Sequence, residues 1–195
     1  MSRRRSLALA AALAAAALTL VGCTPDAGTS SQVANPGYVS GDGSTRQWAP
    51  AERGEPVTLT GTDYAGEPVD TGAWRGDVVV VNTWFAACPP CRVEAPELAA
   101  LASERASEGV HVVGINRTDD AGAAQAFEKT FDIPYPSIDD RTGAATAALQ
   151  GVAPLAATPT TLVLDRSGRV AARILGLLER STLDAMIDDV LAEQA

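Results

Sequence analysis

Basic residues are scarce in most of this chain. The 195-residue sequence has a formal net charge of −9, and Arg3, Arg4 and Arg5 are the only basic residues among its first 22. The remaining residues include 12 basic against 24 acidic side chains. Because nucleic-acid binding needs a basic surface that neutralises phosphates, the charge argues against DNA or RNA as a partner.

Metal-binding side chains are also few, with one histidine and three cysteines in the whole sequence. Cys88 and Cys91 have the Cys-x-x-Cys spacing that structural zinc sites also use. Such a site would need two further ligands, and His111 is the only histidine that could provide one. The composition therefore disfavours a zinc site, and we expect His111 to be an ordinary strand residue.

The apolar run at residues 7–21 is too short to predict a membrane-spanning helix. It follows three arginines, which is typical of an export signal with a positive n-region and an apolar h-region. It ends in Leu20-Val21-Gly22-Cys23, which resembles the bacterial lipobox. That resemblance implies cleavage before Cys23, a lipid on Cys23, and anchoring to the outer face of the cell membrane. An ordinary secretory signal is the alternative, and the arginines also leave twin-arginine export open.

Composition divides the chain into three predicted segments. Residues 1–22 form the signal peptide, and residues 53–195 form one folded domain. Between them, residues 23–52 are rich in Gly, Ser, Thr, Pro and Ala without an apolar period, so they are predicted to be a flexible linker. A linker of about 28 residues has a reach of roughly 30 Å, enough for the domain to stand off the membrane.

The residues with the clearest chemistry lie at positions 84–91, WFAACPPC. The β-branched run Val78–Thr83 before them predicts a buried strand, and residues 92–101 predict a helix. Cys88 is therefore expected at a helix N-terminus, where free N–H groups and the helix dipole favour a thiolate. A thiolate is the nucleophile of thiol–disulfide exchange. Cys88 is expected to be nearer solvent, and Cys91, on the same helical face, to attack the mixed disulfide and release the partner.

The strand, the Trp84-x-x-x-Cys88-x-x-Cys91 spacing and Pro96 resemble the thioredoxin superfamily, and within it the TlpA/ResA-type thiol:disulfide oxidoreductases. Thr158-Pro159 before an apolar strand resembles the cis-proline loop of that family. The likeness covers residues 57–192. It implies an α/β, thioredoxin-like fold: a central mixed sheet flanked by helices, with an N-terminal β-hairpin and a central α-β-α insertion.

The pattern along the chain agrees with this fold. Further strands are predicted by alternating or continuous apolar runs, at residues 57–60 and 67–69 (the hairpin), Val110–Asn116, 134–138 (an edge strand with two prolines), 158–165 and Val170–Leu175. Helices are predicted at residues 121–131, after the candidate caps Asp119 and Asp120, and at 142–149. A final amphipathic helix is predicted to begin at Ser181 and to present one apolar face: Leu183, Met186, Ile187, Val190 and Leu191.

The resemblance also assigns roles to the cysteines and one acid. With Cys23 lipidated, Cys88 and Cys91 would form a redox-active disulfide, and no other cofactor is expected. Glu94 would lie under this pair, with a raised pKa that suits it to donate or accept a proton. The alternatives are a purely structural disulfide and, for Glu94, a solvated helix face.

The same resemblance assigns the substrate-binding side of the site. Pro159 would be a cis proline, and Thr158 before it would offer backbone groups to an extended substrate. A trans proline that enters an edge strand is the alternative. Trp84 would form a wall of the site, or would only pack in the core.

For function, the resemblance implies an extracytoplasmic enzyme that exchanges dithiols and disulfides with exported, cysteine-containing proteins. The commonest role in this group is reduction, for example of apocytochrome c thiols in cytochrome c maturation, with a membrane electron donor as second partner. A general oxidant or isomerase would use the same residues at a higher potential. A peroxiredoxin-like peroxidase would need Thr where Phe85 stands, and a copper-binding module would need Cys-x-x-x-Cys with a distal histidine.

Overall fold

The computed structural model describes residues 37–150 and 157–193. Over these residues the chain forms nine strands: β1 Tyr38–Val39, β2 Thr45–Gln47, β3 Thr60–Thr62, β4 Pro68–Asp70, β5 Val78–Thr83, β6 Val110–Asn116, β7 Ser137–Asp139, β8 Thr160–Leu164 and β9 Val170–Leu175. It also forms four α-helices: α1 Pro89–Glu104, α2 Ala121–Thr130, α3 Ala144–Ala148 and α4 Arg180–Ala192. The predicted signal peptide and Cys23 lie outside the described residues.

Seven of these strands form one mixed sheet, in the order β1-β2-β9-β8-β5-β6-β7. Its central strand β5 pairs parallel with β6 and antiparallel with β8. All six residues of β5 are buried, as expected for a β-branched run covered on both faces of a sheet. The predicted strands Val78–Thr83, Val110–Asn116 and Val170–Leu175 are confirmed residue for residue.

Apolar residues of β5 alternate between the two faces of the sheet, because successive side chains of a strand point in opposite directions. Val78 and Val80 pack in a cluster with α1 and α4 residues such as Leu98 and Leu183. Val79 and Val81 pack in a second cluster, with residues from the β3–β4 region and around α3. Helices α1 and α4 therefore cover one face, and the hairpin and α3 cover the other.

The hairpin and the insertion are both present. Strands β3 and β4 pair antiparallel, but β3 starts at Thr60 rather than at residue 57. The reason is that Leu59 exchanges hydrogen bonds with Thr71 outside any ladder, through its N–H to Thr71 Oγ1 (2.9 Å) and its carbonyl to the Thr71 N–H (3.0 Å). The predicted α-β-α insertion is α2-β7-α3, and β7 extends the sheet as an edge strand parallel to β6.

The predicted linker boundary at residue 52 is too late. Strands β1 and β2 fall inside the predicted linker, and β2 pairs antiparallel with β9, so the folded domain includes the chain from residue 37. Strands of two and three residues are too short to show an apolar period, and a very short edge strand is one way in which proteins protect the edge of a sheet. Composition alone therefore could not distinguish these two strands from a flexible linker.

The start of the last helix also differs from the prediction. Helix α4 begins at Arg180, and Glu179 stands at the N-cap without a side-chain hydrogen bond, so Ser181 is not the cap. The predicted apolar face is confirmed for Leu183, Met186, Ile187 and Val190. No helix within residues 37–150 and 157–193 is long and apolar enough to cross a membrane.

Candidate active site

Cys88 stands at the N-cap of α1, where β5 gives way to the helix. It is joined to Cys91 by a disulfide with an S–S distance of 2.02 Å, and its Sγ accepts a hydrogen bond from the Cys91 N–H at 3.2 Å. Pro89 and Pro90 occupy the first two helical positions and have no N–H. The Cys91 N–H is therefore the first backbone donor that the helix can direct at the Cys88 sulfur.

Cys88 is not nearer solvent than Cys91, contrary to the sequence-based expectation. Both residues are only 1% exposed, and both belong to an apolar cluster with Tyr64, Trp84 and Phe127. Helical position alone does not set exposure here, because aromatic side chains from three other parts of the chain pack around the pair. In the disulfide form, the structure therefore presents little sulfur to solvent.

Glu94 lies on α1, three residues after Cys91, and is 2% exposed. Its Oε1 accepts a hydrogen bond from Asn82 Nδ2 at 2.8 Å, and its Oε2 accepts one from the Leu178 N–H at 3.3 Å. Burial raises the pKa of Glu94 from 4.5 to about 7, although the bonds from Asn82 and Leu178 work in the opposite direction. A carboxyl with this pKa can exchange a proton at neutral pH.

Two polar residues at the end of β5 support this site, and sequence reasoning assigned a role to neither. Asn82 is buried and donates to both Glu94 and Thr161 Oγ1, the latter at 3.1 Å. Thr83 Oγ1 accepts from the Thr160 N–H at 2.8 Å and so holds the residue that follows Pro159. Their only signal in the sequence is that two polar side chains end a run of four valines.

The Thr158–Pro159 peptide bond is cis, as the resemblance implied. Thr158 is exposed and Pro159 is buried, and the Pro159 carbonyl accepts from the Gly176 N–H at 2.8 Å. Thr158 and Trp84 both line a small cleft. The structure therefore brings together Thr158 and Trp84, two of the three residues predicted to form the substrate-binding side.

Trp84 has features of both predicted roles. It is 5% exposed and stacks on Phe127 with ring centroids 4.3 Å apart, so most of the ring belongs to the core. A Cβ at Gly114 would lie 2.6 Å from Trp84 Nε1, so a glycine is needed for the indole to pack here. The part of Trp84 that lines the cleft is the part available to a substrate.

Asp119 has a role that the sequence did not reveal. Both Asp119 and Asp120 were candidate helix caps, and Asp120 does cap α2 by accepting from the Ala123 N–H at 2.9 Å. Asp119 instead accepts a hydrogen bond from the Ala86 N–H, two residues before Cys88, and another from Asn116 Nδ2 at 2.8 Å. It thereby ties the loop that carries Cys88 to the end of β6.

We expect Asp119→Ala to lower both stability and the rate of disulfide exchange. A lost hydrogen bond to a charged acceptor costs about 1.5–3 kcal/mol, and the Ala86 peptide would no longer be held from this side. Urea unfolding and insulin reduction measure the two effects. Asp119→Asn keeps an oxygen acceptor and should recover most of the rate.

Asp120→Ala is the matched control, because it removes the neighbouring carboxylate and a helix cap worth about 1 kcal/mol but no bond to the Cys88 loop. Asp120→Ala should therefore lower stability without lowering the rate of disulfide exchange. Equal losses of exchange rate in Asp119→Ala and Asp120→Ala would show that Asp119 acts only through general stability.

His111 takes part in a different contact. It lies on β6, bonds Asp77 Oδ2 through Nε2 at 2.9 Å, and stacks on Trp74 with ring centroids 4.8 Å apart. Within residues 37–150 and 157–193, no three His, Cys, Asp or Glu side chains are grouped so that they could hold a metal ion.

A disulfide at a strand-to-helix turn, a buried carboxyl and a cis proline in a thioredoxin-like sheet together define a thiol:disulfide oxidoreductase. The chain belongs to the Redoxin family, whose profile matches residues 49–187. It is 34% identical over 148 residues to the thiol:disulfide interchange protein HelX of Rhodobacter capsulatus, covering 75% of this chain and 77% of that protein. It is 26% identical over 129 residues to the thiol-disulfide oxidoreductase ResA of Bacillus cereus, covering 66% and 72%.

Solved structures agree with this assignment. A secreted thiol-disulfide isomerase from Corynebacterium glutamicum superposes with a TM-score of 0.71 at 29% identity, covering 80% of this chain and 97% of its own. A thioredoxin family thiol:disulfide interchange protein from Chlorobium tepidum gives a TM-score of 0.68 at 27% identity, covering 74% and 100%. The fold and the oxidoreductase class predicted from the sequence are thus confirmed.

Proposed function

We propose that the protein reduces disulfides of exported proteins, with Cys88 as the attacking thiol and Cys91 as the resolving thiol. In the first step the Cys88 thiolate bonds to one sulfur of the substrate disulfide, and the other substrate sulfur leaves as a thiolate. In the second step Cys91 gives up its proton and attacks Cys88 Sγ. The second substrate sulfur leaves, so two electrons have passed to the substrate and the Cys88–Cys91 disulfide remains.

The observation that carries the reducing direction is the hydrogen bonding of Cys88. A strongly oxidising pair is one whose reduced form is stabilised, and helix N–H groups aimed at the thiolate are one source of that stabilisation. Here Pro89 and Pro90 remove the first two donors, and the Cys91 N–H is the backbone donor that contacts Cys88 Sγ. A weakly stabilised thiolate favours the disulfide form of the enzyme and hence a reducing potential.

Glu94 supports the second step. Glu94 follows Cys91 by one helical turn, and its carboxyl has a pKa of about 7, so at neutral pH a large fraction is ionised and can accept the Cys91 proton. Its buried negative charge also disfavours a nearby thiolate, which acts in the same direction as the missing N–H groups. In this proposal Glu94 is the proton acceptor of the resolving step.

For the substrate side, we propose that an extended segment of the substrate lies along Thr158 and the cis Pro159 and contacts Trp84. The exposure of Thr158 and its position beside Trp84 at the cleft support this placement. Exported proteins with cysteine pairs are the proposed substrate class, and apocytochrome c is one such protein. A membrane electron donor would return the Cys88–Cys91 disulfide to the dithiol.

We further propose that the protein works outside the cytoplasm, held to the outer face of the cell membrane by a lipid on Cys23. The export-signal pattern of residues 1–22 and the lipobox-like end at Cys23 support this location. The Corynebacterium glutamicum relative is itself described as secreted. Mass analysis of membrane-extracted protein tests the anchor, because an unmodified Cys23 would contradict it.

The potential of the Cys88–Cys91 pair tests the direction of electron flow. We expect equilibration with a thiol–disulfide buffer to give a reduction potential close to that of thioredoxin, about −270 mV. A potential close to that of DsbA, about −120 mV, would contradict the proposal. Pro89→Ala should raise the reduction potential, because it restores one N–H at the start of α1. This variant tests whether the missing N–H groups are the cause of the low potential.

An oxidant or isomerase is the second candidate, and the Corynebacterium glutamicum relative described as an isomerase favours it. The two candidates use the same cysteines and differ in potential. A high potential together with recovery of activity in scrambled ribonuclease would establish this alternative in place of reduction.

A further inference from the structure

A small polar cleft lies beside the cis-proline loop and has a volume of about 80 Å³. Its described lining residues are Thr83, Trp84, Ile115, Arg117, Thr118, Thr146 and Thr158. Four of the seven are threonines, one is an arginine, and this described lining contains no carboxylate. Thr83 and Thr146 donate their hydroxyls to the Thr160 carbonyl and to Asp140, so Arg117, Thr118 and Thr158 are the donors that the cleft offers to an occupant.

The volume limits the occupant. A cavity needs about 10–15 Å³ of such volume to hold one water molecule, so the cleft has room for several waters. Sites for free small molecules and cofactors are usually about 300–1,000 Å³. The cleft is thus the size of one short side chain, and a side chain would come from a peptide bound along the neighbouring Thr158.

Arg117 sets the charge of the occupant. Across residues 37–150 and 157–193, every other arginine makes a hydrogen bond, an ion pair or a ring contact: Arg46, Arg53, Arg75, Arg92, Arg105, Arg141, Arg166, Arg169, Arg173 and Arg180. Arg117 alone in this part of the chain has no such partner. Because its guanidinium bonds neither a carboxylate nor a carbonyl, Arg117 is available to a ligand.

Arg117 is exposed, and its guanidinium lies close to Gly143. A Cβ built on Gly143 would lie 3.3 Å from Arg117 Nη2, and the positive φ of 78° at Gly143 favours glycine there. The guanidinium therefore packs against the backbone at the start of α3. Arg117 lines the cleft together with Thr158 and Trp84.

We propose that this cleft is a specificity subsite that takes one aspartate or glutamate side chain of the substrate, close in sequence to the cysteine under attack. Arg117 would hold the carboxylate, as guanidinium groups do through paired N–H donors, and Thr118 would supply a hydroxyl. The inference rests on the proposed exchange at Cys88, but it is independent of the direction of electron flow.

The test uses disulfide-linked peptides that carry Asp, Asn or Lys at each of the three positions on either side of the cysteine. For the full chain, the rate of mixed-disulfide formation should be higher for Asp than for Asn by about tenfold or more at one position, the usual effect of a hydrogen bond to a charged group. Arg117→Glu should reverse the order of the Asp and Lys peptides at that position. The preference for Asp peptides should weaken at 1 M salt, because dissolved ions screen the charge of Arg117.

Arg46→Glu is the matched control, because it makes the same change of charge on β2, at the far side of the sheet from β6. It should leave the peptide preference of the wild type in place. Equal rates for all wild-type peptides would overturn the subsite while leaving exchange at Cys88 intact. An equal shift of preference in Arg46→Glu and Arg117→Glu would also overturn it, because net charge alone would then explain the result. Failure of every peptide to react would overturn the proposed exchange and the subsite with it.

Discussion

Replacing Cys88 by serine is expected to abolish disulfide exchange, with a loss on the order of a thousandfold or more in the rate of insulin reduction. Loss of a covalent nucleophile is among the largest single-residue effects known in enzymes. The serine hydroxyl is not ionised at neutral pH and cannot replace the thiolate. The fold should persist, because a Cys-x-x-Cys disulfide closes a very short loop and contributes little to stability.

Cys91→Ser should behave differently, because the first step needs only Cys88. The variant should accumulate a mixed disulfide through Cys88, since the residue that would attack Cys88 Sγ is gone. Non-reducing electrophoresis and peptide mass mapping would detect this species with insulin or a peptide disulfide. The unreacted variant serves as its own folding control through its near-ultraviolet circular dichroism.

The burial of both cysteines makes one more measurement decisive. Each is 1% exposed in the disulfide form, so access has to be measured on the reduced protein. Iodoacetamide should modify Cys88 well before Cys91 at neutral pH. Substantial exchange by Cys88→Ser, or a reduced Cys88 inert to alkylation, would contradict the assigned order of attack.

The parts of this structure that the sequence predicted are those encoded locally. The β-branched run at Val78–Thr83 predicted its strand residue for residue, and the family resemblance of the Thr158-Pro159 motif implied the cis peptide. Hydrophobic periodicity and motif spacing are properties of neighbouring residues. They are therefore visible before any tertiary contact is known.

The parts that were missed depend on partners far along the chain. Asn82 bonds a glutamate 12 residues away, and Asp119 bonds an amide 33 residues away. Strand β2 exists because β9, more than 120 residues later, offers it a ladder. Cys88 is likewise buried in a cluster that includes Tyr64 and Phe127, which lie far from it in the sequence. No local pattern marks any of these contacts.

Glu94 leads to the second large prediction, a pH-dependent stability. Its pKa is about 7 in the folded protein against 4.5 for the ordinary carboxyl. Between these two values the folded chain keeps a proton that the unfolded chain has released. The stabilisation is therefore complete below about pH 4.5 and is lost as pH rises through 7, because stability falls with pH wherever the folded state binds more protons.

The expected change is about 3 kcal/mol of unfolding free energy across this window, since each unit of pKa difference corresponds to about 1.4 kcal/mol. Glu94→Gln has no proton to exchange, so its stability should lack this component of the pH dependence. Urea unfolding of the oxidised protein between pH 4.5 and 8 measures the difference between the two slopes. Subtracting the slope of the variant from that of the wild type cancels the contributions of all titrating groups that the two proteins share.

The same variant should slow exchange at neutral pH by about a hundredfold, within the usual contribution of acid–base catalysis. The loss should fall on the resolving step, so Glu94→Gln should accumulate the mixed disulfide more than the wild type does. The pH–rate profile of the wild type should show a limb near pH 7 that the variant lacks. That limb separates proton transfer from a packing defect, which would lower the rate at every pH.

Glu97→Gln is the control, because Glu97 lies on the same helix and its side chain is exposed. It removes an equal charge close to Glu94 without touching Asn82 or the Leu178 amide. Its stability slope and its pH–rate profile should match the wild type. If Glu94→Gln kept both the slope and the limb near pH 7, the buried carboxyl would have no part in proton transfer. The resolving step would then need another acceptor, such as water that enters when the substrate displaces the aromatic side chains around the pair.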